Sequence, residues 1–195
     1  NVTYEIQTRG GETIEVERPS ALPDASVIAE FREPVVQLSV LCPASNIGTV
    51  MQLCLDRRGT YRRTEYLSKE RVLLVFDVPM AEILYDFYDI LKSATRGYGS
   101  MDYAVKGYEA GNLVKVRIMV AGEDVDALSF ICHRDDAERR GRDILKRLRK
   151  KITRHLFAVA LQAAIGGKIV ARETISALRK NVTAKCYGGD ISRKR

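Results

Sequence analysis

The order of short apolar patterns between residues 35 and 105 constrains the fold of this chain more than any other feature of its sequence. Two strands are predicted on either side of the short polar link at residues 68–70. Apolar residues recur at every second position within residues 35–42 and 101–105, which is typical of strands with one buried face. They recur at every third or fourth position in two further segments, which is typical of amphipathic helices. The predicted order is strand, helix, strand, strand, helix, strand, at residues 35–42, 47–54, 60–67, 71–78, 84–94 and 101–105.

The ends of both predicted helices carry residues that suit them. Ser45 and Asn46 precede the first helix as candidate N-caps, and Gly59 and Gly97 follow the two helices as terminators. The order βαββαβ is that of the ferredoxin-like split βαβ unit, in which two helices cover one face of an antiparallel sheet. We therefore predict an α+β fold with a ferredoxin-like sandwich over residues 34–111.

The residues before this unit have the pattern of the end of a preceding domain. Two short alternating segments flank Gly10-Gly11, which predicts a β-hairpin. The segment 19–34 is rich in breakers and predicts a connector. We assign residues 1–33 to the end of a preceding domain plus a linker. Because the chain begins at Asn1 rather than at a methionine, we expect it to be part of a longer protein.

A second, smaller α+β domain is predicted over residues 112–195. Its clearest element is a helix at 135–151, where one apolar stripe is surrounded by Lys and Arg residues. Acidic residues lie in its first turn and cations at its end, where the helix dipole favours each. We expect this long basic helix to pack on a β-sheet. The other predicted elements are strands at 113–120, 125–132, 157–165 and 168–172 and a short helix at 174–178, followed by a loose tail.

Positive charge is concentrated in the last third of the chain. Residues 134–195 hold 18 of the 32 Lys and Arg residues but only 6 of the 25 Asp and Glu residues, in a chain of net charge +7. Contact with a polyanion explains such an imbalance better than general solubility does, and nucleic acid is the first candidate. An anionic membrane surface is the other option, but the helix carries no Trp or Phe on its apolar stripe to insert.

Two loops of the ferredoxin-like domain offer further contacts to phosphate. They are the pair Arg57-Arg58 and the turn that contains Arg96 and Tyr98. Each is as compatible with ordinary solvated charge as with binding. The two central strands carry no aromatic platform of the kind that RNA-recognition modules use, because their one aromatic residue, Phe76, lies among core-facing residues.

The cysteines indicate a reducing compartment rather than a metal site. They are widely spaced and form no CxxC pair, and the chain has only two histidines, so zinc is not expected. The longest apolar runs have the length of strands, so neither a membrane-spanning helix nor a signal peptide is predicted. We expect a soluble, cytosolic protein.

No catalytic constellation is predicted. His133 lies near Asp135 and Asp136 and could act as a general base, but a histidine at a helix start is more often a cap or a packing residue. Gly166-Gly167-Lys168 lacks the rest of a phosphate-binding loop and predicts a connection between strands. A stand-alone RNA-processing enzyme that uses His133 and an anionic-membrane adaptor are the alternatives to a nucleic-acid-binding protein.

Five segments of the sequence have counterparts in a known protein family. They are RGYGSMDY at 96–103, VDALS at 125–129, QAAIG at 162–166, KIVAR at 168–172 and LRKNVTAKCYGGDISRKR at 178–195. Through them the chain resembles the elongation factor 4 family, also called LepA. The resemblance runs over essentially the whole chain, and the last motif is long enough to be specific.

The resemblance implies a translational GTPase that binds the ribosome and tRNA, promotes back-translocation and supports translational fidelity. It assigns residues 34–111 to a domain shared with elongation factor G and residues 112–195 to a family-specific C-terminal domain. It implies no catalytic residue, metal or cofactor here, whereas GTP and magnesium would belong to the whole protein. The implied partners are tRNA and the rRNA and proteins of the large subunit. We expect a cytoplasmic, ribosome-associated monomer, with weak peripheral attachment to the plasma membrane as a further option.

The candidate nucleic-acid-binding residues combine the charge pattern with this resemblance. The resemblance supplies the terminal positions, and the charge pattern adds the end of the basic helix. The full set is Arg147, Lys150, Lys151, Arg154, Arg179, Lys180, Lys185, Tyr187, Arg193, Lys194 and Arg195, with Arg57, Arg58, Arg96 and Tyr98 in the candidate ribosome-contact loops.

Overall fold

A computed structural model describes residues 1–179 of the chain. The chain separates into two compact units, Asn1–Asn112 and Leu113–Arg195. Six of the candidate binding residues lie outside the described residues, namely Lys180, Lys185, Tyr187, Arg193, Lys194 and Arg195.

The first unit holds six strands and two α-helices. Their bounds are β1 Tyr4–Thr8, β2 Thr13–Val16, β3 Ile28–Pro43, α1 Ile47–Asp56, β4 Thr60–Tyr66, β5 Arg71–Pro79, α2 Phe87–Ala94 and β6 Ser100–Ala110. All pairings are antiparallel, in the order β2-β1-β3-β5-β4, and β6 pairs with β3. One edge of β3 therefore pairs first with β1 and then with β5, while β6 pairs along the other edge.

The part of this unit from β3 to β6 confirms the predicted ferredoxin-like fold. The six elements follow one another in the predicted order, and four strands form an antiparallel sheet in the order β6-β3-β5-β4. The helices α1 and α2 pack against alternate residues of β3 and β5, which supplies each strand with one buried face. The core combines Val36, Leu38, Val40, Leu74 and Phe76 from the strands with Val50, Cys54, Phe87 and Leu91 from the helices.

The strand β3 is longer than predicted because it changes partner along its length. It begins at Ile28 and so passes through the predicted division between residues 33 and 34. Pro34 lies between Arg32, which pairs with β1, and Val35, which pairs with β5. Since proline has no N–H to donate to a ladder, it suits the point where one neighbouring strand replaces another. The last residues of the predicted connector therefore belong to the sheet.

The entry to α1 differs from the predicted caps, and its exit depends on a glycine. A 3-10 turn at Ala44–Asn46 precedes α1, and the Asn46 side chain makes no cap hydrogen bond. Its Nδ2 lies instead 3.5 Å from the carbonyl oxygen of Ala94. Beyond α1, the N–H of Gly59 donates to the carbonyl oxygen of Cys54 at 2.9 Å. A Cβ on Gly59 would lie 2.6 Å from that oxygen, so only glycine allows this close return to β4.

The second unit packs one long helix on a five-stranded sheet, which confirms the predicted second α+β domain. Its described elements are β7 Leu113–Val120, β8 Glu123–Asp124, β9 Phe130–His133, α3 Arg134–Lys151, β10 Val159–Ile165 and β11 Lys168–Ile175. The strand order is β11-β10-β7-β8, and β9 pairs with β7. The core between α3 and the sheet includes Val116, Ile118, Leu145, Leu161 and Ala163.

The structure corrects two predicted elements of this unit. A 3-10 turn at Asp126–Leu128 interrupts the predicted strand 125–132, so that β9 is short. The predicted helix at 174–178 is wrong, because β11 continues as far as Ile175. Ile175 is buried and pairs with Val159. Cross-strand pairing with burial outweighs the weak tendency of so short a segment to form a helix.

Candidate nucleic-acid interface

The helix α3 begins at a histidine cap. The Nδ1 of His133 accepts a hydrogen bond from the backbone N–H of Asp135 at 3.2 Å. Asp135 and Asp136 lie in the first turn and three cations lie in the last, so the helix dipole favours both ends. The predicted cap role of His133 is confirmed. This cap occupies the ring nitrogen nearest the neighbouring aspartates, and nothing in the arrangement supports the RNA-processing alternative.

One face of α3 is fixed on the sheet. Ala137, Gly141 and Leu145 are its buried residues. A Cβ added to Gly141 would lie 2.9 Å from the Cβ of Ala163 in β10, so glycine permits the close approach of helix and strand. This contact fixes the rotation of α3 about its axis, and the charged residues of the opposite face lie in solvent.

In the first half of α3, two arginines are matched by acidic residues one turn away. Arg139 lies 3.0 Å from Asp136 and 4.0 Å from Asp143. Arg142 forms an ion pair with Glu138. Residues spaced three or four apart are neighbours on a helix surface, so these pairs neutralise charge locally.

The second half of α3 and the residues after it carry cations without acidic partners. Between residues 146 and 154, five exposed cations form no ion pair with any residue of the described part of the chain, and we call this set the basic helix end: Lys146, Arg147, Lys150, Lys151 and Arg154. Arg149 is the exception, because its Nη1 lies 3.0 Å from Oε2 of Glu173. The helix dipole acts only within the last turn and so does not account for Arg147 or Arg154. The set creates a local positive potential suited to an anionic partner.

The described binding candidates of this unit lie at one end of it. Arg147, Lys150, Lys151 and Arg154 all belong to the basic helix end. The backbone N–H of Leu178 donates to the carbonyl oxygen of His155 at 2.8 Å. Arg179, which is exposed, therefore follows directly on a residue held beside the segment after α3.

Two exposed apolar residues in the same segment were not among the predicted candidates. Leu156 is 69% exposed and Phe157 is 82% exposed. Sequence alternation placed Phe157 at the start of a strand, whereas β10 begins at Val159. The signal that could have found them is their position, since they directly follow Arg154-His155 and precede the regular alternation of β10.

The loop cations Arg57 and Arg58 are already bound within the first unit. The guanidinium of Arg58 donates to both carboxylate oxygens of Glu33, at 2.7 and 3.1 Å, and to Oε1 of Glu82 at 3.0 Å. Glu33 is only 4% exposed. Arg57 donates to Asp86 and to the carbonyl oxygen of Glu82. This geometry favours a structural role for both arginines and leaves neither free for a phosphate.

A second internal network joins three strands of the same sheet. The Oδ2 of Asp77 accepts hydrogen bonds from Nε of Arg62 at 2.6 Å and from Nζ of Lys106 at 2.7 Å. Burial by itself raises the pKa of Asp77. The hydrogen bonds and charges of Lys106 and Arg62 outweigh burial and hold that pKa below its ordinary value of 3.8. The ionised carboxylate thus links β4, β5 and β6.

The turn between α2 and β6 presents Arg96 and Tyr98 on a rigid backbone. The Oγ1 of Thr95 donates to the carbonyl oxygen of Leu91 and accepts from the N–H of Gly99, both at 2.7 Å. Within residues 1–179, the side chains of Arg96 and Tyr98 have no ion pair or hydrogen bond. Tyr98 is 72% exposed. It borders a shallow cavity of about 290 Å³ that is also lined by Pro43, Glu70 and Arg71.

The remaining candidate sites have structural roles. Gly166-Gly167-Lys168 forms the turn of the β10–β11 hairpin, as predicted, and not a strand-to-helix phosphate loop. Cys42 and Cys54 are buried free thiols, and Cys132 is buried as well. Burial together with the charge of Cys42 raises the pKa of Cys54 to about 12. No group of three metal-ligating side chains occurs within residues 1–179. In the same part of the chain, no helix has the length and apolar character needed to cross a membrane.

Comparison with protein families divides the chain into two parts. Residues 30–119 match the family described as elongation factor G C-terminus, and residues 120–195 match the family described as GTP-binding protein LepA C-terminus. The junction of the two matches falls within β7, whereas the compact units separate between Asn112 and Leu113.

Individual relatives match the chain over its whole length. Elongation factor 4 1 of Rhodopirellula baltica and elongation factor 4 of Symbiobacterium thermophilum are each 52% identical to it over 195 residues. Elongation factor 4 of Clostridioides difficile is 50% identical over the same length. The chain spans 32% of the length of each of these relatives. A ferredoxin-like unit that matches elongation factor G, a following unit that matches LepA and this full-length identity together show that the chain belongs to the elongation factor 4 family.

Proposed function

We propose that this chain is the ribosome- and tRNA-binding part of a ribosome-dependent translational GTPase that promotes back-translocation and translational fidelity in the cytoplasm. The observation that carries the proposal is the basic helix end, whose five exposed cations have no acidic partner within residues 1–179. In the sequence it is continued by the candidate cations from Arg179 to Arg195. RNA phosphates supply a closely spaced row of negative charges that such a surface can bind.

The chemistry of GTP is assigned by this proposal to the two thirds of the relatives' length that the chain does not span. Its own Gly166-Gly167-Lys168 is a hairpin turn and does not fit a nucleotide phosphate. GTP and magnesium would be bound elsewhere in the whole protein, and the present residues would bind and orient RNA. In the same proposal residues 1–33 end a preceding domain, 34–111 form the domain shared with elongation factor G and 112–195 form the family-specific domain.

The first unit contributes a second proposed contact, through the turn that carries Arg96 and Tyr98. This turn is held by Thr95, and both side chains lie free of partners within residues 1–179. An exposed aromatic ring near a free guanidinium suits rRNA or a ribosomal protein. Arg57 and Arg58 have no part in this contact, since their guanidinium groups are bound to carboxylates of the same unit.

The proposal is tested by measuring the affinity of the chain for vacant ribosomes and for tRNA over a series of salt concentrations. With about six to ten phosphate contacts, affinity should fall by about three to five decades between roughly 50 and 200 mM salt. Changing Lys180, Lys185 and Arg193 together to alanine should weaken binding and flatten its salt dependence. A control is Arg57→Ala, which removes one cation that is already paired, and its effect is compared with one third of the change in salt slope of the triple variant. Failure of the unaltered chain to bind either partner would refute the proposal.

A further inference from the structure

We propose that Phe157 stacks on an unpaired nucleobase of RNA while the basic helix end binds the phosphates on either side of that base. This inference rests on the proposed function and deepens it, because it adds a base contact to a surface so far described only by charge. The base belongs to ribosomal RNA or to tRNA, which present the same chemistry.

The exposure of Phe157 is the first observation. Its ring is 82% exposed, the highest value among the exposed large apolar residues of the described chain. Leu156 is exposed beside it. Single exposed apolar side chains are common on protein surfaces, so exposure alone assigns no role. The charged residues around Phe157 in the sequence are what indicate a role in binding.

The ring lies within a cationic stretch whose backbone is anchored. The segment between the end of α3 and the start of β10 contains Arg154 and His155 and no acidic residue. The hydrogen bond from Leu178 to His155 ties this segment to the residue before Arg179. A ring that follows the unpaired cation Arg154 by three residues can contact a base whose phosphates are bound by the basic helix end.

No other described aromatic residue of the second unit offers this combination. Phe130 is covered by the guanidinium of Arg140, whose carbon lies 4.9 Å from the ring centre. In the first unit, Tyr85 is 79% exposed but stands next to Asp86 in the sequence and close to Glu82 and Asp89. Residues 79–91 contain no Lys or Arg that could bind the phosphates of a stacked nucleotide, so Tyr85 serves as the matched control.

The chemistry of the surface favours an unpaired base over the other possible ligands. Bases within a duplex are already stacked on one another and present only their edges, whereas unpaired bases offer a face to an aromatic ring. One phenylalanine and one leucine bury too little apolar area to hold a protein stably on a membrane. One aromatic ring is sufficient for one base.

The test compares the unaltered chain with Phe157→Ala, Phe157→Leu, Phe157→Trp and Tyr85→Ala. Four probes are used: tRNA with its single-stranded 3′ end, isolated large ribosomal subunits, a blunt RNA duplex and vesicles that contain phosphatidylglycerol. Phe157→Ala and Phe157→Leu should weaken binding to tRNA, to the subunits or to both by roughly five- to 150-fold, with an unchanged salt slope. Phe157→Trp should retain binding, and duplex binding should not change in any variant. If binding to tRNA weakens, the base belongs to tRNA, and if binding to the subunits weakens, it belongs to ribosomal RNA.

Several results would overturn the inference. They are equal binding of Phe157→Ala and the unaltered chain to both tRNA and subunits, full binding by Phe157→Leu, an equal loss with Tyr85→Ala, or a loss confined to vesicles. If the unaltered chain binds no RNA at all, the proposed function fails together with this inference. If it binds RNA and Phe157→Ala binds equally well, only the role of Phe157 fails. A thermal unfolding curve for each variant checks that the exposed substitution leaves the fold intact.

Discussion

Four cations of the ferredoxin-like unit and the basic helix end differ in their partners. In the first unit, Arg57, Arg58, Arg62 and Lys106 all bind carboxylates of the same unit. In the second, the basic helix end has no such partner within residues 1–179. The local sequence does not reveal this difference, because an adjacent pair of cations such as Arg57-Arg58 looks like the pair Lys150-Lys151. The difference depends on whether the fold brings an acidic residue from a distant strand.

The contrast has an energetic reason. Releasing Arg58 toward a phosphate would leave the buried Glu33 with an uncompensated charge, which is strongly unfavourable. An exposed cation of the basic helix end gives up only its hydration and its counterions when it binds a phosphate. Free cations are therefore suited to bind RNA, and paired ones are suited to stabilise the fold.

The largest effect is expected for Arg58→Ala, which should lower the free energy of unfolding of the first unit by about 3–5 kcal/mol. The cause is the isolation of Glu33, which is buried at the junction in β3. Urea unfolding measures the change. Arg57→Ala is the control, because its partner Asp86 is exposed and the pair contributes about 1 kcal/mol or less. If Arg58→Ala left the stability unchanged and flattened the salt dependence of RNA binding, Arg58 would be a binding cation and not a structural one.

The next largest effect is expected for the combined substitution of Lys150, Lys151 and Arg154 by alanine. RNA affinity should fall by about one to two decades, and the slope of log affinity against log salt should decrease by about two to three. Stability should change by no more than about 0.5 kcal/mol. Arg139→Ala with Arg142→Ala is the control on the same helix, since both arginines are paired. Equal effects of the two sets would show that pairing does not separate binding from structural cations.

A smaller effect is expected for Asp77, whose protonation at acid pH should lower the free energy of unfolding. Because its pKa in the folded chain lies below 3.8, its contribution to stability is present above that value and is lost as the pH falls through the lowered value. Asp77→Asn should cost about 1–3 kcal/mol near neutral pH and should make unfolding less dependent on pH in the acid range. Urea unfolding at a series of pH values measures both. The same acid dependence in Asp77→Asn as in the unaltered chain would show that another group is responsible.

The smallest effect is expected for Arg149→Ala, the paired exception within the basic half of α3. Its ion pair with Glu173 is partly exposed and contributes about 1 kcal/mol or less. The salt slope of RNA binding should stay within error, whereas Lys150→Ala should lower it by about 0.7–0.9. Titration of each single variant against tRNA measures the difference. A slope change for Arg149→Ala equal to that for Lys150→Ala would mean that RNA displaces Glu173.

Local patterns were sufficient to predict the ferredoxin-like order. Alternation at Val36, Leu38 and Val40 and helical spacing in α1 and α2 each report one buried face, which is a property of the element itself. The start of β3 at Ile28 was not predictable in this way, because it depends on pairing with β1 across a connector. The misassigned helix at 174–178 has the same cause, since Ile175 is held by its partner Val159.

The candidate site was predictable in its charge and not in its details. The excess of cations after residue 133 indicated the basic helix end, and i,i+3 and i,i+4 spacing could have identified Arg139 and Arg142 as paired. The burial of Glu33 against Arg58 could not be read from the sequence, because 25 positions separate the two residues. Phe157 was missed because its apolar character fits a strand as well as it fits an exposed segment.

The change of partner along β3 also has a mechanical consequence. No loop separates the residues that pair with β1 from those that pair with β5, since Ile28–Pro43 is one continuous strand. A torque applied to the amino-terminal hairpin is therefore transmitted through covalent backbone into the layer that carries α1 and α2. The hydrogen bonds on both edges of β3 resist shear along it. The strand therefore connects the hairpin rigidly to the rest of the unit and does not act as a flexible joint.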